Sequence, residues 1–150
     1  MMVKILAVAV LGMLMAFGRP ARADEAQLAA NKAAVVAFYQ AALNDKDFDA
    51  AQKYLGPRYT QHNPLVEDGP DGLRKLLGFI KAKFPSAHSE IKQVFADGDF
   101  VLLHVLSVRE PGAKGRAIVD IFKLEGGKIV EHWDVGQEIP DTAANPNGMF

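Results

Sequence analysis

Residues 116–138 read RAIVDIFKLEGGKIVEHWDVGQE, and this stretch decides the fold. Residues 116–124 and 128–139 are rich in β-branched and aromatic side chains. Gly126-Gly127 sits between them and supplies the positive φ angles that a tight hairpin needs. Working back along the chain, residues 100–109 (FVLLHVLSVR) are apolar at both alternating sets of positions, which predicts a strand buried on both faces. Residues 88–96 alternate, with Ile91 and Phe95 set against Glu90 and Lys92. Asp97-Gly98 joins these two runs and predicts a type I′ hairpin. Pro111-Gly112 and Lys114-Gly115 make a loop, and Pro140 closes the last run. Four consecutive strands so connected form an antiparallel meander.

Ahead of the strands the apolar spacing is helical. Leu28, Val35, Phe38, Ala42 and Leu43 fall near one stripe and predict a helix over 25–44, with Asp24 as its cap. Asp47 can cap a shorter second helix carrying Phe48, Ala51 and Leu55, which Gly56-Pro57 stops. Residues 58–69 read as a polar and aromatic connection. Pro70 suits the first turn of a third helix, whose face is Leu73, Leu76, Leu77, Ile80 and Phe84, and Pro85 ends it. Three helices followed by a meander make an α+β fold, with the helices packed on one face of a four-stranded sheet.

Polar groups interrupt the apolar strands. His104 stands within Val101–Leu106, Asp120 within Ile118–Phe122, and His132 and Asp134 flank Trp133. A buried ionisable group is costly unless it is paired, so three neighbouring strands that each carry one point to a shared polar cavity. Taken singly, each has a structural alternative: a satisfied core histidine, a solvated edge, or a pair between Asp120 and Arg116 or Arg109. Register decides whether they meet. A two-residue turn would pair Asp120 with Trp133 and put Asp120 and Asp134 on opposite faces. A turn with a bulge at Gly127 would pair Asp120 with His132 and gather Ile118, Asp120, His132 and Asp134 on one face. The bulged hairpin is expected, since glycine tolerates the left-handed conformation. The 58–64 connection adds Tyr59, Gln61, His62 and Asn63 as candidate binding groups.

The chain has 150 residues, 17 Lys+Arg, 18 Asp+Glu and no cysteine. Disulfides, thiol catalysis and thiolate metal sites are thereby excluded. A net charge of −1 argues against nucleic acid as a partner. No H-x-x-x-H spacing, glycine-rich phosphate loop or G-x-S-x-G occurs, so no metal and no cofactor are expected. Residues 1–23 have the layout of a secretory signal peptide: Lys4, an apolar run from Ile5 to Phe17, and small residues at Ala21 and Ala23. Cleavage after Ala23 removes Lys4, Arg19 and Arg22 and no acid, leaving 127 residues with a net charge of −4. The expected organisation is a signal peptide at 1–23 and one domain at 24–150. The processed protein would be periplasmic or secreted, without stable membrane insertion.

Five segments resemble the SnoaL-like polyketide cyclase family of the nuclear transport factor 2-like superfamily. They are Ala37 to Leu43, the Y-T-Q-H-N-P stretch from Tyr59 to Pro64, Asp97 to Asp99, V-D-I-F-K-L from Val119 to Leu124, and G-K-I-V-E-H-W-D from Gly127 to Asp134. The resemblance implies a cone of helices around a curved sheet enclosing a deep pocket. It also implies that Asp134 is a general acid/base for intramolecular aldol closure and that Asn63, His62 and His104 line the pocket. In the preceding strand the position facing the aspartate is often histidine; here Asp120 stands there. A homodimer formed through the sheet is a further implication.

The function these readings predict is acid/base chemistry, of aldol, isomerase or lyase type, on a small hydrophobic carbonyl compound in an exported protein. Asp134, Asp120 and His104 are the candidate catalytic residues. His62, Asn63, His132, Tyr59 and Trp133 are the candidate substrate-binding residues. The alternative is a non-catalytic periplasmic protein that binds a small molecule in the same pocket.

Overall fold

The computed structural model describes residues 25–150. The signal peptide and the Asp24 cap read from the sequence lie outside the described residues. Helix α1 (Glu25–Tyr39) runs on through a wider π turn at Gln40–Asn44, so together they span the helix expected over 25–44. Its Val35, Phe38 and Ala42 are almost completely buried. Helix α2 (Phe48–Ala51) is capped as expected: the Asp47 carboxylate accepts from the Ala50 N–H at 3.0 Å. Helix α3 (Gly69–Lys83) carries Pro70 in its first turn, where no N–H is needed, and buries Leu73, Leu77 and Ile80.

Five strands follow from the rest: β1 (Leu55–Gln61), β2 (His88–Asp97), β3 (Phe100–Val108), β4 (Arg116–Glu125) and β5 (Lys128–Glu138). They form one sheet in the order β1-β5-β4-β3-β2. Strand β1 corrects the expected four-stranded sheet. It takes up residues 58–61 of what reads as a connection, together with Leu55 and the Gly56-Pro57 expected to end the second helix, and it runs parallel to β5, with Gln61 beside His132. Asp68 ties its end to the start of α3, since Asp68 Oδ1 accepts from the Gln61 N–H at 2.8 Å.

The helices lie on one face of the sheet. On that face Val101, Leu103 and Val105 of β3 and Phe122 and Leu124 of β4 meet Val35, Phe38, Leu73 and Leu77. The other face of β3, with Leu102, His104 and Leu106, is only half buried. The expectation that β3 is buried on both faces therefore fails: helices cover only one side, and residue type alone does not say how many sides are covered.

Both hairpins form where glycine predicts them, with different details. The β2–β3 turn closes on Asp97 and Phe100, and of its two central residues only Gly98 has positive φ (55°), so it is not type I′. The β4–β5 turn closes on Glu125 and Lys128, with Gly126 and Gly127 both at positive φ (56° and 76°). It is thus a tight two-residue turn, and the bulge falls beyond Gly127. Ile129 pairs with Leu124 and Glu131 with Lys123, leaving Val130 as the extra residue. That one residue restores the face expected from a Gly127 bulge. Asp120 pairs with Asp134, and Phe122 with His132.

Candidate functional site

A cavity of about 690 Å³ lies between the helices and the inner sheet face. Its walls are mainly apolar, including Phe38, Leu43, Leu73, Leu76, Ile80 and Phe122. Leu65 and Phe79 line the mouth with 91% and 50% of their surface exposed. The polar groups come from three strands. Asp120 on β4 and His132 and Asp134 on β5 share the inner face through the β4–β5 register. Tyr59 and Gln61 of β1 share it because β1 pairs in parallel with β5, and Asn63 follows just beyond.

Asp120 and His132 are buried, at 4% and 8% exposure. Asp120 Oδ1 lies 3.0 Å from His132 Nε2. The other imidazole nitrogen, Nδ1, lies 3.1 Å from Gln61 Oε1. That oxygen also accepts from the Asn63 backbone N–H at 2.9 Å, which fixes it as the acceptor end of the Gln61 amide. Nδ1 then donates, and a second hydrogen lies between Nε2 and Oδ1, because two lone pairs would otherwise face each other at 3.0 Å. Asp120 and His132 therefore hold one mobile proton between them, as imidazolium and carboxylate or as imidazole and carboxylic acid. Asp120 Oδ2 is buried, and the Tyr39 hydroxyl approaches the Asp120 carboxylate.

Asp134 is held from the segment just beyond β1. Asn63 Nδ2 donates to both of its oxygens, at 2.9 and 2.8 Å. The Leu65 N–H donates to Asn63 Oδ1 at 2.8 Å, so the amide can present only its NH₂ to Asp134. Two phenols complete the set. Gln61 Nε2 donates to the Tyr59 hydroxyl at 3.1 Å. Burial, followed by the Asp120 charge, pushes the phenol pKa values of both Tyr39 and Tyr59 well up, so both keep their protons and can donate. Asp120, His132 and Asp134 each offer a donor atom within 4.8 Å of the others. A cation could be held by such a set, although the spacing in sequence carries no metal motif. With both imidazole nitrogens engaged, the set as it stands is a proton-sharing network.

Asp120, His132, Asp134, Asn63 and Tyr59 thus line one cavity. His104, His62 and Trp133 do not, and the expectation for them is corrected. His104 pairs with Val119 and points to the outer face, where its ring stacks on Phe150 at 5.0 Å. Trp133 pairs with Ile121 on the same outer face. His62 stacks flat on Trp133, with centroids 4.4 Å apart, and its Nε2 lies 3.3 Å from Glu131. In each case a one-residue step along a strand reverses the side chain. Gln61 was expected only as one binding group of a connection, not as a partner of His132, and Tyr39 was missed. Tyr59, Gln61 and Asn63 stand two residues apart, which is the strand period, and that signal is lost when the segment is read as a loop. For Tyr39 the signal was a hydroxyl on the apolar face of α1.

Solved structures share this architecture. TsrD from Streptomyces laurentii is 22% identical, with a TM-score of 0.61 over 72% of this chain and 88% of its own. A Bacillus cereus protein thought to be a polyketide cyclase is 20% identical, with a TM-score of 0.64 over 75% of this chain and 78% of its own. An uncharacterized cystatin fold protein from Novosphingobium aromaticivorans is 26% identical, with a TM-score of 0.61 over 70% of this chain and 97% of its own. No curated protein matches the sequence. The SnoaL-like domain family model matches residues 35–132, and the chain belongs to that family.

Proposed function

We propose that the protein catalyses proton transfer on a small, largely apolar carbonyl compound, in a reaction of the isomerase, aldol or lyase type. The observation that carries this reading is the Asp120–His132 pair, buried at the wall of an apolar cavity with a second carboxylate on the facing residue. Asp134, fixed by Asn63, takes a proton from the carbon next to the carbonyl, and the electron pair moves onto the carbonyl oxygen. The Tyr39 and Tyr59 hydroxyls and the proton shared by Asp120 and His132 stabilise that oxygen. Return of a proton at another carbon, attack of the enolate on a second carbonyl, or loss of a leaving group then completes the reaction.

The test needs no known substrate. In D₂O, wild-type protein should exchange the α-hydrogens of small aryl and alkyl ketones, read by NMR. Asp134→Asn should lose the exchange, by about 10²–10⁴-fold, while its circular dichroism is unchanged. Retained exchange in that variant would remove Asp134 from the role. Ketones that bind without exchange would instead support a non-catalytic binding protein.

The chain is also proposed to be exported and processed, on the strength of its first 23 residues. Among the described residues no helix is long and apolar enough to cross a membrane. N-terminal sequencing of protein recovered from the periplasm or the medium should begin at Asp24. Recovery of Met1 from the cytoplasm would reject export.

A further inference from the structure

The same cavity has a second polar end. Arg116 and Arg109 line it together with Ser89 and Ser107. Arg116 sits on the same face of β4 as Asp120, four residues along the strand, directly opposite Ser107 on β3 and Glu138 on β5. Ser107 in turn lies opposite Ser89, with the hydroxyl oxygens 3.5 Å apart. A row of one guanidinium and two hydroxyls therefore crosses three strands.

The backbone makes room for this guanidinium. A Cβ on Gly136 would stand 2.8 Å from Arg116 Nη2 and 3.0 Å from its Nε, so the Arg116 head lies where a side chain on β5 would be. Gly136 is only two residues, about 7 Å of strand, from Asp134. The head is thus drawn toward the proton-transfer groups. The Arg116 side chain is 35% exposed, and its ion-pair partner is weakly held. The Nε–H is buried without a hydrogen bond. Glu138 Oε1 stands 3.4 Å from it without completing one, on a side chain that is 77% exposed. An exposed partner of that kind contributes little. Arg109 is engaged differently, with its head 5.2 Å over the Phe84 ring.

From this we infer that Arg116 anchors a carboxylate of the ligand, and that the substrate class is a keto acid. Its carboxylate sits at Arg116, about 7 Å from a carbonyl presented to Asp134 and the Asp120–His132 pair. A planar guanidinium with free N–H groups matches a carboxylate through two parallel hydrogen bonds, and the Ser107 and Ser89 hydroxyls complete the subsite. The apolar walls take the hydrocarbon between and beyond the two polar ends. This assignment rests on the carbonyl-chemistry reading above for the identity of the second group, but the anion subsite is tested by binding alone.

The experiment compares 5-oxo-5-phenylpentanoate with its methyl ester by isothermal titration calorimetry on the purified protein. The wild type should bind the acid at least ten-fold more tightly than the ester. Arg116→Gln should reduce the acid to the affinity of the ester and leave the ester unchanged. Gly136→Ala, whose methyl displaces only the flexible end of Arg116, should lower the preference without altering the thermal midpoint. Asp134→Asn should keep the preference in full, so loss of α-hydrogen exchange there tests the catalytic reading and leaves the subsite standing. Equal affinity for acid and ester in the wild type would overturn the inference. So would an unchanged preference in Arg116→Gln, a preference lost only in Arg109→Gln, or no binding of either compound.

Discussion

The two faces of strand β5 carry the same chemistry in opposite surroundings. On the inner face His132 meets Asp120 at 3.0 Å, with side chains 10% and 6% exposed. On the outer face His62 meets Glu131 at 3.3 Å, with side chains 38% and 20% exposed. Each pair is one imidazole and one carboxylate, and Glu131 and His132 are neighbours in sequence. Water separates their fates. Outside, solvent screens the pair and can replace either partner. Inside, the pair is buried from bulk solvent, so Asp120 and His132 depend on each other for the hydrogen between them. A histidine–carboxylate contact is therefore weak grounds for a site until its burial is known.

The strongest way to break the contrast is to remove the inner acid. Asp120→Ala leaves His132 Nε2 without a partner in an apolar wall and should cost about 3–5 kcal/mol, measured by urea denaturation. Asp120→Asn should cost much less, because its amide can still donate to Nε2. It should nevertheless lose α-hydrogen exchange, because an amide holds no mobile proton. An Asp120→Ala protein as stable as the wild type would mean that water reaches the pair and that the two faces do not differ as described.

A second test sharpens the inner side. In the fold the Tyr59 hydroxyl keeps its proton well above its ordinary value of 10.0, chiefly because of burial and then because of the Asp120 charge. The native state therefore binds more protons than the unfolded chain from pH 10 upward. Its contribution is complete below pH 10 and is lost as pH rises from there toward the folded value, by about 1.4 kcal/mol per pH unit. Tyr59→Phe gives up the hydrogen bond from Gln61 and should be less stable at pH 8 by about 1 kcal/mol. Above pH 10 the two stability curves should converge and cross. Parallel curves would place the phenol in contact with solvent.

How far this was legible depended on periodicity. The helices, the three antiparallel strand pairs and the polar residues within them follow from spacing that one element reveals by itself. Strand β1 does not, because Leu55–Gln61 contains Gly56 and Pro57 and draws its pairing from β5, far along the chain. Losing β1 left Gln61, His62 and Asn63 looking equivalent, although His62 points to the side opposite the other two. His104 misled for a related reason: its strand is apolar on both faces, and only the placement of the helices says which face is inside. The face of Asp120 and Asp134 turned on one extra residue, Val130, which no glycine marks.

The smallest expected effect lies on the outer face. Glu131 has its carboxyl pKa lowered by Lys123 first, whose Nζ is 3.0 Å away, and then by His62. A lowered folded value means that the unfolded chain takes up protons first as pH falls. The contribution of Glu131 is therefore present above its ordinary value of 4.5 and is lost as pH drops through the folded one. Glu131→Gln should accordingly lower the thermal midpoint slightly at pH 7, and the gap to wild type should close on acidification below pH 4.5. Added salt at pH 7 should close it too, because the groups are solvated. Substrate exchange should be unaffected at every pH, since Glu131 shares the outer side with Lys123 and His62. If Glu131→Gln instead slowed exchange as Asp120→Asn does, the proton network would extend through the sheet, and the two faces of β5 would be one site.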